Sequence, residues 1–134
     1  MLRLPLISVF ALASLTISGL SMQAQTATQE TVADIAFGED MTLVLPVENG
    51  MADVYVIELA PLGFENADMA RRFVNSLSDN MVHFTANEVG SIAEMRPQYQ
   101  NLGDQEWDRN AWNAYLGKIQ LRFQRNYERY LDQQ

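Results

Sequence analysis

Cysteine is absent from all 134 residues. That excludes disulfides, thiolate metal sites and attachment of a lipid to a processed N-terminal cysteine. Histidine occurs once, at His83, so any imidazole chemistry rests on that residue. Basic side chains are scarce, nine Lys and Arg against seventeen Asp and Glu. The imbalance is uneven: residues 25–109 carry four basic and fifteen acidic groups, residues 110–134 four and two. A chain of this sign repels phosphate backbones, which argues against nucleic acid as a partner. No glycine-rich phosphate loop is present, since Gly63 and Gly90 stand singly at turns. Ser76, Ser78 and Ser91 lie in no nucleophile elbow, and no pair of carboxylates stands out for glycoside chemistry. The chain reads as a non-enzyme without a cofactor, and an enzyme of unknown class is the third alternative.

The N-terminus, by contrast, is rich in apolar residues. Arg3 precedes a mostly apolar run from Leu4 to Leu20, and small or polar residues follow from Ser21. This is the three-part pattern of a secretory signal peptide, with cleavage expected after Ser21 or Ala24. Ser8, Ser14, Thr16 and Ser18 interrupt the run, which is short for the ~20 apolar residues of a spanning helix. The expectation is a periplasmic or secreted protein with no stable membrane insertion after cleavage of residues 1–24. The mature chain of about 110 residues would carry eight basic and seventeen acidic groups, a net charge of −9. One domain of that size holds itself together with an ordinary apolar core.

Residues 25–40 are rich in Thr, Gln, Ala and acids and read as a flexible leader. Leu43, Leu45 and Val47 alternate in Met41–Val47, and Pro46 marks that segment as an edge strand. Asn49-Gly50 then predicts a hairpin back onto the next strand. Val54, Tyr55, Val56, Ile57 and Leu59 form a nearly continuous apolar strand. Asn66 caps a helix reaching about Ser78, whose apolar stripe is Met69, Ala70, Phe73, Val74 and Leu77. Strands follow at Met81–Thr85 and Ser91–Met95 around a turn containing Gly90. From Asp104 the period is helical, with Gly117 a weak point and residues 118–124 open to a last strand.

The resulting order, with residues 41–134 as a single domain, is that of a ferredoxin-like βαββα(β) α+β sandwich, an antiparallel sheet with helices on one face. Over residues 53 to about 124 the chain resembles a heavy-metal-associated domain in topology and size. That family holds its metal on two cysteines between the first strand and first helix. The corresponding loop here, Pro61-Leu62-Gly63-Phe64-Glu65-Asn66, has none.

Three groups of residues suggest binding. Arg122, Arg125 and Arg129 recur at helical spacing beside Phe123, Tyr127 and Tyr130. Arginine and tyrosine are enriched at interface hot spots, so this segment is the first candidate for a protein partner or a homo-oligomer contact. A continuous helix of some 28 residues would span about 42 Å, more than a four-stranded sheet covers. The opposing reading has the aromatics capping the domain's own core and the arginines solvated or paired with its acids. Met81, His83 and Met95 form a soft donor set suited to Cu(I), the basis of an alternative role as a soft-metal or small-ligand carrier. Asp104, Glu106, Asp108 and Asn110 begin like a calcium loop, but Arg109 replaces its glycine and Tyr115 its last glutamate.

Overall fold

The apolar run after Asp53 forms the heart of a sheet. The computed structural model describes residues 29–47 and 50–134. The expected signal sequence and Asn49 lie outside the described residues. All elements described belong to the unit Thr31–Gln134. Strands β1 (Val32–Ile35), β2 (Val54–Glu58), β3 (Val82–Ala86) and β4 (Ile92–Pro97) join two helices, α1 (Ala67–Asn75) and α2 (Arg109–Asp132). The class is α+β.

The strands order as β1-β2-β4-β3. β2 and β3 both pair antiparallel with β4, which sets Tyr55, Met95 and Phe84 in one cross-strand row. β1 pairs parallel with β2, Val32 opposite Val54 and Ile35 opposite Ile57. The sheet is therefore mixed, not antiparallel throughout. Its added strand lies inside residues 25–40, where composition predicts a mobile leader. Asp53 explains how so polar a stretch is held. Its carboxylate accepts from the Thr31 backbone N–H at 3.0 Å and hydroxyl at 3.2 Å, while the Thr31 carbonyl accepts from the Asp53 and Val54 N–H groups.

Met41–Val47 joins no ladder. Its alternation is real, with Met41, Leu43 and Leu45 buried and Val44 and Val47 exposed. It is an extended strap, bound by its backbone to side chains of α2. Gln120 donates to the Asp40 carbonyl, Asn113 accepts from the Leu45 N–H at 2.8 Å, and Arg109 donates to the Val47 carbonyl at 3.3 Å. The strap thus runs antiparallel to α2. Asp40 and Met41, with φ of 55° and 62°, turn the chain into it. Left-handed backbone is unfavourable for a residue as bulky as methionine; burial of Met41 and the bond from Gln120 offset that cost. Asn113→Ala would leave the Leu45 N–H without its acceptor, and we expect a loss of about 1–2 kcal/mol in urea unfolding. Asn113→Asp keeps an acceptor oxygen and should restore most of it.

Both helices cover the same sheet face. Tyr55, Ile57, Val82, Phe84, Ala93 and Met95 share one core with Phe73, Val74 and Leu77 of and beside α1 and with Trp112, Leu116 and Phe123 of α2. Each fully buried side chain of this size contributes about 1.5–3 kcal/mol. Asn66 caps α1 through its Oδ1, 2.8 Å from the Met69 N–H, and Asp108 caps α2 through its Oδ1, 2.9 Å from the Ala111 N–H. Gly90 (φ 70°) brings the β3–β4 turn against α1, where a Cβ would stand 3.0 Å from Ala67 backbone atoms. α2 runs unbroken through Gly117, so residues 118–124 are helix and form no strand. At 24 residues it is about 36 Å long.

Candidate functional site

The C-terminal half of α2 divides its residues between core and surface. Phe123 has 0% of its surface exposed and meets Phe84 edge-on at 5.7 Å between ring centres. Tyr127 packs against Phe64 and Phe73 and donates its hydroxyl to the Leu62 carbonyl at 2.5 Å. Tyr130 is half-buried against the same core. The end of the helix does not project: Gln134 Oε1 accepts from the Glu65 N–H at 2.8 Å. Arg129 donates to Asn126 Oδ1 at 2.9 Å and lies over the Tyr130 ring. Arg125 is exposed and has no ion-pair partner among the described residues.

Arg122 turns inward, to Asp79 in the loop between α1 and β3. Asp79 Oδ2 receives Arg122 at 2.9 Å and the Tyr115 hydroxyl at 2.7 Å, while Oδ1 receives the Met81 and Val82 N–H groups at 2.7 and 2.9 Å. Arg122 also donates to the Leu77 carbonyl at 3.1 Å. Burial pushes the Asp79 carboxyl up, but the hydrogen bonds from Tyr115, Val82, Met81 and Arg122 outweigh it and hold the group below 3.8. Burial, followed by its bond to that carboxylate, raises the Tyr115 phenol to about 12. Four donors on one carboxylate make a fastener between helix and loop. Sequence spacing gives no sign of it, because Asp79 lies 36 residues from Tyr115.

The soft-donor set does not converge. Met95 opposes Phe84 on the core face, whereas His83 opposes Arg96 on the other face, exposed. Met81 is half-buried against the core. The pleat sends alternate residues to opposite faces, so His83 and Met95 cannot bind one ion. Among the described residues no three His, Cys, Asp or Glu side chains are placed to hold a metal. Asp108, from the calcium-like run, is engaged as the cap of α2.

What remains outward on α2 is a stripe. Ala114, Lys118, Leu121, Arg125, Arg129 and Asp132 are exposed within an arc of about 80° at 100° per residue, and the exposed Asn110, Gly117 and Glu128 flank it on one side. Leu121 is 51% exposed at its middle. Sequence reasoning placed Arg125 and Arg129 here but missed Lys118 and Leu121, which fall in residues 118–124 where a last strand competes with helix. Among the described residues no helix is long and apolar enough to cross a membrane.

No known protein family, curated protein or solved structure matches this chain.

Proposed function

We propose that this is an exported, non-enzymatic interaction module that binds a protein partner through the outer stripe of α2. The exposed Leu121, with Lys118 and Arg125 one turn to either side, carries the reading. An exposed apolar residue between Lys118 and Arg125 favours a partner surface that is acidic with an apolar centre. Of Arg122, Phe123, Arg125, Tyr127, Arg129 and Tyr130, the exposed ones are Arg125 and Arg129. Phe123, Tyr127 and Tyr130 hold the helix in place beneath them. The scaffold we propose is a ferredoxin-like core, β2-α1-β3-β4-α2, with the edge that a final strand would occupy taken by β1. The order β2-β4-β3 and the two helices on one face support that assignment. Export rests on the Arg3–Leu20 pattern.

Replacing Leu121 with a photo-crosslinking phenylalanine analogue in the native host tests the proposal. Val89, 69% exposed on the β3–β4 turn, serves as the control position. We expect a discrete adduct from position 121, none from 89, and loss of the adduct in Arg125→Glu/Arg129→Glu with unchanged thermal stability. The mass of the adduct separates a foreign partner from a second copy. Equal labelling at both positions, or at neither, defeats the reading.

A further inference from the structure

A second surface lies along the outer edge of β1, away from the α2 stripe. Thr31 turns both its N–H and its C=O toward Asp53 and Val54. By strand alternation Ala33 and Ile35 do the same, and the backbone groups of Val32 and Asp34 point away from β2. No other described strand pairs with that edge. β1 has no lysine, no proline and no bulge; Asp34 is its one charge, and Val32 is 61% exposed.

The edge opens onto a groove. A cavity of about 530 Å3 runs between Thr31–Asp34 and Pro46, Met51 and Ala52. It adjoins, through Asp34, a second of about 230 Å3. That one shares Phe37, Pro61 and Leu62 with a third of about 330 Å3. The floor of the first two is mainly apolar. The charged residues along the three are Asp34, Glu58, Asp40 and Glu128, all acidic, and none of the lining residues is basic. Between Arg3 and Arg71 the sequence contains no Lys or Arg at all.

We infer that β1 accepts an extended, basic peptide segment of another protein as a fifth strand. Main-chain bonds to Val32 and Asp34 would give the register. Alternate apolar side chains would enter the groove, and Lys or Arg between them would meet the acidic rim. β1 shares no residue with the α2 stripe, and the groove meets α2 only at its far end, at Gln124, Tyr127 and Glu128, so either reading can fail without the other.

The test uses the full chain and a fluorescent peptide of about nine residues alternating Lys and Val, read by anisotropy. We expect saturable binding at one peptide per chain. A Glu–Val peptide should bind at least about tenfold more weakly. So should the Lys–Val peptide N-methylated at alternate residues, in whichever phase blocks the amides facing β1. Asp34→Lys should weaken binding about tenfold with no change in melting temperature. Equal binding of both N-methylated forms and the parent would reduce the effect to charge attraction and overturn strand addition. Absence of binding would overturn it too. So would a dimer of the free protein that Asp34→Lys dissociates, because the occupant would then be a second copy.

Discussion

Phe123→Ala is expected to destabilise the protein by about 3–5 kcal/mol in chemical unfolding, the range for emptying a buried aromatic site. Its ring has no exposed surface and meets both Phe84 and Phe37 edge-on, at 5.7 and 6.3 Å. Those two neighbours come from the sheet and from the segment after β1, so the cavity would loosen three parts of the chain at once. Edge-to-face pairs contribute about 0.5–1.5 kcal/mol beyond their buried area. Arg125→Ala, two residues on and on the exposed side, should stay within about 0.5 kcal/mol of the parent. The contrast separates support from recognition on a single helix. A change below about 1 kcal/mol at Phe123 would remove it from the core and return it to the surface, where its neighbours Arg122 and Arg125 first suggested it.

The second large effect is expected at Asp79. Asp79→Ala would strip two backbone N–H groups, the Tyr115 hydroxyl and the Arg122 guanidinium of a shared acceptor. Hydrogen bonds to a charged group contribute about 1.5–3 kcal/mol each, yet Arg122 and the loop stay partly in water, so we expect a loss of about 2–4 kcal/mol. Asp79→Asn keeps Oδ1 for the two N–H groups and should lose roughly half as much. Acidity supplies an independent check. The folded carboxyl titrates below its ordinary 3.8, so folding favours the ionised form. That contribution is complete above the unfolded value and disappears as the pH falls through the folded one. Stability measured downward from pH 5 should therefore decline in the parent more steeply than in Asp79→Asn. Parallel acid limbs would show that the carboxylate is no fastener.

Much of the architecture was legible from residues. The run Val54–Leu59, the stripe Met69–Leu77 behind Asn66, and the alternation in both later strands are local patterns whose periods match the elements they form. The leading segment was misread because two effects compete there. Leu43 and Leu45 alternate as strand residues do, but the backbone partners are Gln120, Asn113 and Arg109 on α2, more than sixty residues away. β1 in turn depends on Thr31 meeting Asp53, a polar contact that leaves no hydrophobic trace. The site residues followed the same division. Spacing put Arg125 and Arg129 on one face, yet it could not tell that Phe123 and Tyr127 turn inward or that Arg122 is engaged by Asp79. His83 and Met95 looked close because their strands pair; the one-residue register that sends them to opposite faces is set by the pairing of Met95 with Phe84.

The strap has a consequence for the order in which the molecule assembles. Its residues leave the ribosome early, but the side chains that receive them, Arg109, Asn113 and Gln120, are made near the end. β2, α1, β3 and β4 can meet through short connections, whereas the strap must wait for α2 to dock. Until then Leu43 and Leu45 have no seat, and the newly synthesised chain carries an unsatisfied apolar segment ahead of a nearly finished sheet. Such a chain is longest exposed to aggregation, or to a chaperone, at the strap. The strap is made before most of the sheet and comes to rest after it.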